Sequence, residues 1–273
     1  MKKLFISDLD GTLFNSCAEI TDNTAEVINA LTEKGMYFTF ATARSVYSAK
    51  PLTEKLNINV PCILMNGVSV YDLRSGTYIK NEFISEDASA GVIRAFKRHN
   101  VRCFMYKIHG DILTAYFTEM TSDVMQKFAE ERKNKFRKPF VQCDEFAIDS
   151  DIVYFTTTGD RETLLPVKND ADRIEGVDCA FYEDTYTGRY YLEFFSDKAS
   201  KSNGIKFLRQ QYSFEHITAF GDNFNDLPMF GESDVRVAVG NAKPEVKQAA
   251  DFTAPTNDCD GVAEWLKYNA GII

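Results

Sequence analysis

The spacing of apolar and polar residues along the first part of the chain predicts strands that alternate with helices. Short apolar runs typical of buried strands occur at residues 4–6, 36–41 and 62–65. Residues 22–34 and 46–56 lie between these runs and have the apolar spacing of helices that cover a sheet. This order is the pattern of a parallel sheet with helices packed on it.

The pattern changes in the middle of the chain. A predicted hairpin at 68–83 is followed by helices and strands in an order that favours antiparallel pairing. We predict helices at 86–99, 121–133 and 162–174, and strands at 101–106, 112–117, 152–157, 177–182 and 190–195. This α+β pattern indicates a separate domain inserted into the first one.

Alternating strands and helices return after about residue 196. The predicted elements are helices at 202–211, 226–230, 245–250 and 261–268, and strands at 217–220 and 235–239. We therefore predict an α/β fold with a Rossmann-like parallel-sheet core and an inserted α+β cap domain. We assign residues 1–84 and 189–273 to the core and residues 85–188 to the cap.

Two aspartates stand where the first predicted strand ends. Asp8 and Asp10 are two positions apart, so an extended backbone would point both side chains the same way. Ligand sites of open parallel sheets lie at the carboxyl ends of the strands. Two adjacent carboxylates repel each other unless a cation or a proton intervenes, and oxygen-rich sites suit Mg²⁺. Taken alone, however, this segment is better explained as a polar strand end and turn.

A second acidic segment follows the predicted strand 217–220. Asp222 and Asp226 are four positions apart across a turn, and Asn225 stands beside Asp226 at the start of the next helix. Taken alone, these residues also fit a helix N-terminus, where Asp and Asn are favoured. Together with the two aspartates of the first strand, they would place four acidic groups at two strand ends of one sheet. We therefore predict a metal site there.

Composition narrows the choice of partners. The chain has 31 Lys and Arg against 40 Asp and Glu, a formal net charge of −9, which does not favour nucleic acid. The six cysteines are scattered without a CxxC pair, which indicates reduced thiols. The N-terminal apolar run is too short for a secretion signal, and no segment approaches a membrane span in length. We expect a cytoplasmic protein that binds neither nucleic acid nor membrane.

Five cations lie close together at residues 132–138 of the predicted cap. The simplest interpretation is a solvated helix end and loop. The alternative is a positive surface that steers an anionic ligand. Elsewhere in the middle of the chain, the aromatic stretch 182–191 with Arg189 either packs in a strand pair with an exposed turn or contacts substrate.

The segments DLDGTL at residues 8–13 and GDNFND at residues 221–226 resemble the first and last motifs of the haloacid dehalogenase-like phosphatases. The position and the α+β pattern of the insert resemble the Cof-type subfamily, which has a large cap domain. The resemblance covers essentially the whole chain. It implies a Mg²⁺-dependent phosphohydrolase that works through an aspartyl-phosphate.

The resemblance also implies a role for each matching residue. Asp8 would be the nucleophile, and Asp10 would be the general acid for the leaving oxygen and then the base for water. Asp222 would bind Mg²⁺ together with Asp8 and the backbone carbonyl of Asp10. Asp226 would support the metal. The hydroxyl of Thr42 would donate to a phosphoryl oxygen.

Further positions would line the substrate side of this site. They are Arg44, Asn66, Gly67 and Asn225. Ala43 stands where the family commonly has glycine, so the match is incomplete there. The phosphate-binding lysine is assigned to Lys201, which aligns on a Ser-Lys pair, in preference to Lys198. The segment around both lysines lacks the proline and glycines of the family pattern.

We therefore predict a phosphatase that hydrolyses a small phosphorylated metabolite, with a sugar phosphate as the expected class. Two alternatives remain open from the sequence. One is a phosphosugar mutase or phosphotransferase that uses the same aspartyl-phosphate. The other is a non-catalytic protein that binds a phosphorylated metabolite. The identity of the substrate and the oligomeric state do not follow from the sequence.

Overall fold

The computed structural model describes residues 1–183 and 188–271 and divides the chain into two compact units. Unit 1 comprises Met1–Lys80 and Ser200–Ile273, and unit 2 comprises Asn81–Ala199. Unit 1 contains a parallel sheet and unit 2 a separate, mainly antiparallel one, so the predicted fold class is confirmed. Within the described ranges, no helix has the length and apolar character needed to span a membrane.

Unit 1 is built on a five-stranded parallel sheet with helices around it. The strands of unit 1, which include three that form a second sheet, are β1 (Lys3–Ser7), β2 (Tyr37–Phe40), β3 (Cys62–Leu64), β4 (Ser69–Asp72), β5 (Thr77–Asn81), β12 (His216–Gly221), β13 (Val235–Ala238) and β14 (Phe252–Thr253). Its helices are α1 (Asp22–Glu33), α2 (Val46–Leu52), α6 (Lys201–Tyr212), α7 (Leu227–Gly231), α8 (Pro244–Ala249) and α9 (Gly261–Asn269). The parallel sheet has the order β14-β13-β12-β1-β2.

The central strands of this sheet are buried on both faces. Leu4, Phe5 and Ile6 are consecutive in β1, and each is at most 2% exposed although neighbouring side chains point to opposite faces. Such continuous apolar runs are typical of parallel strands that are covered on both sides. This is why short runs without alternation predicted these strands correctly.

The third predicted strand departs from the expected sheet. β3 pairs antiparallel with β4 in a separate sheet of order β3-β4-β5, and a parallel bridge between Ala41 and Ile63 links it to the end of β2. The backbone reverses directly after β3, because Met65, Asn66 and Gly67 all have positive φ. The reversal returns the chain along β3 as a hairpin partner.

Unit 2 is a six-stranded sheet with helices. Its strands are β6 (Phe104–His109), β7 (Ile112–Phe117), β8 (Phe140–Gln142), β9 (Ile152–Gly159), β10 (Val177–Glu183) and β11 (Tyr190–Ser196). Its helices are α3 (Glu86–Arg98), α4 (Asp123–Phe136) and α5 (Arg161–Ala171). The order is β10-β11-β9-β6-β7-β8, and all pairs except β7-β8 are antiparallel.

The boundaries of the insert differ from the predicted ones. The units divide after Lys80 and after Ala199, whereas the sequence placed the insert at 85–188. The larger difference concerns β11, which pairs with β9 and β10 and therefore belongs to the sheet of unit 2. The short strands β8 and β14 were not predicted. Residues 184–187 of the aromatic stretch lie outside the described residues.

Candidate active site

The two acidic segments meet at one edge of the parallel sheet. β1 and β12 are neighbours, and the Asp8 amide, directly after β1, donates to the Phe220 carbonyl over 3.0 Å. Gly221 then ends β12 and leads into Asp222. Residues from opposite ends of the chain therefore come together where parallel strands end, as the sequence predicted.

Three carboxylates form what we call the acidic cluster: Asp8, Asp222 and Asp226. Each offers an oxygen atom, and these atoms lie within 4.8 Å of one another. Asp8 and Asp226 are 6% and 0% exposed, whereas Asp222 is partly accessible. Carboxylates this close and this shielded from water repel one another strongly unless positive charge accompanies them.

One ammonium group lies within the acidic cluster. Lys201 is the first residue of α6, is 2% exposed, and donates to Asp8 Oδ1 over 2.5 Å and to Asp226 Oδ1 over 2.7 Å. Lys198, the other candidate from the sequence, is exposed and belongs to unit 2. The structure thus brings Lys201 to the predicted carboxylates.

The hydrogen bonds around the acidic cluster leave two particular oxygens open. Asp226 Oδ2 accepts from the amides of Asp222 and Asn223 over 2.9 and 3.1 Å, so both Asp226 oxygens are occupied. Asp222 Oδ1 accepts from the Thr12 hydroxyl over 2.8 Å. In the part of the chain that the structure describes, no donor reaches Asp8 Oδ2 or Asp222 Oδ2.

The acidic cluster carries an excess of negative charge. Three carboxylates face the single ammonium of Lys201, so the ionised group has a net charge of −2. Burial raises the pKa of Asp8 well above its ordinary value, although Lys201 opposes this rise. Burial also raises the pKa of Asp222 to about 6, against the hydrogen bond from Thr12. Two open carboxylate oxygens and this charge fit a divalent cation.

The charge of Lys201 itself is secured by its carboxylate partners. Burial alone would lower the pKa of this ammonium, but Asp8 and Asp226 outweigh burial and raise the pKa above its ordinary value. Lys201 is therefore a permanent cation inside the site. A buried ammonium held by two carboxylates is geometrically fixed as well as charged.

The side chain of Asp10 lies outside the acidic cluster. It forms a bidentate ion pair with Arg44, with Nε–Oδ2 at 2.7 Å and Nη2–Oδ1 at 2.6 Å. The sequence predicted that the side chains of Asp8 and Asp10 point the same way, which requires an extended backbone. Residues Leu9–Leu13 instead form an irregular helical turn. Asp10 therefore contributes no carboxylate to the acidic cluster, and its backbone carbonyl remains the group that the resemblance assigns to the metal.

Thr42, Asn66 and Asn225 lie around the same strand ends. Thr42 follows β2, is 1% exposed, and its hydroxyl accepts from the Arg44 amide over 3.2 Å. The Thr42 carbonyl accepts from the Asn66 amide over 2.9 Å, which ties two neighbouring loops together. Asn225 is exposed, and its Nδ2 lies 3.5 Å from Asn66 Oδ1.

Gly67 occupies a position that only glycine fits. Its φ is +102°, and a Cβ there would lie 2.1 Å from the carbonyl oxygen of Ser200. Ser200 is the N-cap residue of α6, and its hydroxyl accepts from the Asn203 amide over 3.0 Å. The close approach of Gly67 therefore supports the helix start that positions Lys201.

Three supporting contacts were not predicted from the sequence. Besides the Thr12 hydroxyl, Asn241 Nδ2 donates to the Gly11 carbonyl over 2.7 Å, and the Lys243 amide donates to the Asp222 carbonyl over 2.9 Å. The sequence could have indicated the loop that carries Asn241 and Lys243, because this loop follows strand β13 at the same edge of the sheet as the acidic cluster.

Comparisons with known proteins show the family to which the chain is similar. Residues 5–266 match the sequence profile of the haloacid dehalogenase-like hydrolases. The 5-amino-6-(5-phospho-D-ribitylamino)uracil phosphatase YwtE of Bacillus subtilis is 26% identical over 97% of this chain and 96% of its own length. The pyridoxal phosphate phosphatase YbhA of Escherichia coli is 23% identical over 95% of both chains.

A solved structure extends the similarity to three dimensions. The crystal structure of a Thermotoga maritima protein superposes with a TM-score of 0.82 at 29% identity. The superposition covers 98% of this chain and 97% of the other. The similarity therefore includes both units of the chain.

Proposed function

The chain belongs to the haloacid dehalogenase-like hydrolases and is a phosphatase of small phosphorylated substrates, and we propose that it uses Mg²⁺ and an aspartyl-phosphate on Asp8. We propose a sugar phosphate as the substrate class. The observation that carries the proposal is the acidic cluster, in which Asp8 Oδ2 and Asp222 Oδ2 stay open while the net charge is −2.

The charge of the acidic cluster is the reason for a divalent ion. A phosphate monoester is itself an anion and would be repelled by Asp8 and Asp222. Asp8, Asp222 and the backbone carbonyl of Asp10 would hold Mg²⁺, and Asp226 would support it. The bound ion would supply the positive charge that lets a phosphoryl group approach a carboxylate.

Asp8 would act as the nucleophile. It would attack phosphorus as a carboxylate, and Lys201 would hold that carboxylate in place through its hydrogen bond to Oδ1. The bond from phosphorus to the leaving oxygen breaks, and the phosphoryl group stays on Asp8. Water then attacks phosphorus, releases inorganic phosphate and regenerates the carboxylate. Lys201 and the Thr42 hydroxyl would donate to phosphoryl oxygens.

Asp10 would move the protons of both steps. As a neutral acid it would protonate the leaving oxygen, and as a carboxylate it would then take a proton from the attacking water. A carboxylic acid keeps an acceptor oxygen when its hydroxyl donates, so Arg44 can hold Asp10 throughout. Asn66, Gly67 and Asn225 would line the substrate side beside Arg44.

The proposed substrate class rests on the resemblance and on one relative. YwtE is named for a compound with a 5-phospho-D-ribityl group, which is a phosphorylated sugar alcohol. YbhA is named for pyridoxal phosphate, so relatives of similar identity differ in substrate. A screen must therefore include sugar phosphates, nucleotides and phosphorylated cofactors.

The proposed function is tested by phosphate release in this screen, with the variants Asp8→Asn and Asp258→Asn. We expect Mg²⁺-dependent release of inorganic phosphate from at least one sugar phosphate. Asp8→Asn should lose turnover because an amide is a poor nucleophile toward phosphorus. Asp258→Asn should retain turnover, because Asp258 is an exposed carboxylate that accepts from the amide and hydroxyl of Ser16 and lies outside the acidic cluster.

Two outcomes would contradict the proposal. Near-normal turnover by Asp8→Asn would remove Asp8 as the nucleophile. Phosphate transfer to an added sugar, without net release of inorganic phosphate, would identify a phosphotransferase in place of a hydrolase.

A further inference from the structure

Two cations of the run at 132–138 lie against the sheet of unit 2. The other three, Lys133, Lys135 and Arg137, are exposed. Lys138 is only 8% exposed, and the side chain of Arg132 is 31% exposed. The solvated helix end and loop expected from the sequence therefore account for the three exposed cations of the run but not for Lys138 and Arg132.

The ammonium of Lys138 is buried without an acidic partner. It lies 4.0 Å from the centre of the Tyr106 ring. Across residues 1–183 and 188–271, no acceptor is within hydrogen-bond distance of Lys138 Nζ, and no carboxylate is within ion-pair distance. The Arg132 guanidinium lies 3.6 Å from the Phe128 ring, and its ion pair with Glu131 is long at 3.7 Å.

The backbone fixes Lys138 in this buried position. Arg137 ends α4 in the left-handed conformation, and the Lys138 amide donates to the Arg132 carbonyl over 3.3 Å. The next residue, Pro139, accepts from the Ala115 amide over 3.0 Å. Hydrogen bonds therefore hold the backbone on both sides of Lys138.

Three tyrosines and an acid on adjacent strands lie on the face of the sheet that Lys138 contacts through Tyr106: Tyr106, Tyr154, Tyr182 and Glu193. Tyr106 packs edge-on to Tyr154 with ring centres 5.9 Å apart. Burial raises the pKa of both phenols, so they stay neutral. The Glu193 carboxyl group accepts from the Tyr182 hydroxyl over 3.2 Å. Burial also raises the pKa of Glu193, although Arg132 and Lys138 oppose this rise.

A buried ammonium without an anionic partner costs free energy. Burial, together with repulsion from Arg132, lowers the pKa of Lys138 to about 7, although Glu193 opposes this. An anion bound by Lys138 and Arg132 would offset this cost, because it would give the Lys138 ammonium an anionic partner and Arg132 a closer one than Glu131.

We propose that Lys138 and Arg132 bind the carboxylate or phosphate group of a small organic molecule on this face of unit 2. Tyr106 and Tyr154 would bound the site, and the half-exposed ring of Tyr182 would offer apolar surface to the rest of the ligand. The acidic group has two possible sources. It belongs either to the substrate, as a second acidic group, or to a separate ligand.

The first experiment tests the site without turnover. Protein labelled with ¹³Cε-lysine is titrated with pH by NMR, alone and with benzoate or inorganic phosphate, and the signal absent from Lys138→Met is assigned to Lys138. We expect this signal to titrate near neutral pH without anion. The anion should raise its pKa by about 1, because a nearby negative charge favours the ammonium. The signals of exposed lysines such as Lys133 should not move.

The second experiment identifies the source and rests on the proposed function. Hydrolysis of phenyl phosphate and of 4-carboxyphenyl phosphate, which differ by one carboxylate, is compared in the wild type, Lys138→Met and Lys133→Met. If the anion belongs to the substrate, the wild type and Lys133→Met should prefer the carboxylated compound by about tenfold in kcat/KM. Lys138→Met should lose that preference, so that its kcat/KM is about the same for the two compounds.

The outcomes separate the two claims. If an added anion raises the pKa of Lys138 but the enzyme shows no preference between the two aryl phosphates, the site is supported. The anion that it binds then belongs to a ligand other than the substrate. If the protein hydrolyses neither aryl phosphate, the NMR titration alone decides on the site, and the screen with sugar phosphates decides on the proposed function. If neither benzoate nor inorganic phosphate changes the titration of Lys138, the proposed site is wrong.

Discussion

At the scale of single residues, Lys201 offsets only part of the charge around it. Its ammonium contacts Asp8 and Asp226, while Asp222 is held by the Thr12 hydroxyl. Removing one partner of a buried ion pair leaves an uncompensated charge and costs more than the pair itself contributes. Lys201 therefore matters both for the stability of unit 1 and for the proposed chemistry.

We expect Lys201→Met to lower kcat about 10²–10³-fold at saturating Mg²⁺, because the phosphoryl group loses a fixed cation. The same change should destabilise the protein by about 3–5 kcal/mol, because Asp8 and Asp226 lose their buried partner. Steady-state kinetics and urea unfolding measure the two effects. Lys198→Met is the matched control and should change neither. The opposite result, with activity lost only in Lys198→Met, would contradict the assignment of Lys201.

Some residue-level features were predictable and others were not. Asp8 and Asp222 were placed together correctly because both directly follow strands that pair in parallel. The ion pair between Asp10 and Arg44 was not predicted, because it depends on the backbone turn at Leu9–Leu13 and on the conformation of a long side chain. Sequence spacing gives positions along strands, but it does not give the direction of a side chain in an irregular turn.

At the scale of elements, the start of α6 depends on the loop after β3. Gly67 contacts the carbonyl of Ser200, and Ser200 caps the helix that begins with Lys201. The sequence assigned Gly67 to the substrate side. The structure adds a packing reason for glycine at this position, and a change there should disturb the site indirectly.

Gly67→Ala tests this contact against Gly35→Ala. Both glycines have positive φ, +102° and +97°, so the backbone strain of an alanine is similar. A Cβ at Gly35 meets nothing within 4 Å, whereas at Gly67 it would overlap Ser200. We expect a loss of about 1–2 kcal/mol for Gly35→Ala from strain alone, and of about 3 kcal/mol or more for Gly67→Ala, with reduced kcat. Equal losses in urea unfolding would show that the close approach has no energetic role.

The predicted elements were reliable where apolar periodicity was strong. The helices and longer strands of both units match their predictions within a few residues. β8 and β14 were not predicted because they have only three and two residues, too few to show a period. The pairing of β3 was not predictable from periodicity either, since it follows from the positive φ values after it.

At the scale of the whole molecule, the chain forms its acidic cluster from distant segments. Asp8 lies near the N-terminus, and Asp222 and Asp226 lie beyond the insert, yet parallel strands bring them to one edge. The architecture was predictable because alternating strands and helices resumed after the insert. The second boundary was not, because β11 immediately precedes the return to unit 1 and pairs with unit 2.

The central claim is that the acidic cluster holds one divalent cation. Isothermal titration of the wild type, Asp222→Asn and Asp258→Asn with Mg²⁺ tests it most directly. We predict one bound Mg²⁺ per chain in the wild type and in Asp258→Asn, and strongly weakened binding in Asp222→Asn. Binding to the wild type should also weaken as the pH falls through about 6, because Asp222 then binds a proton that Mg²⁺ must displace. Equal Mg²⁺ binding by the wild type and Asp222→Asn, or no binding by either, would contradict the account.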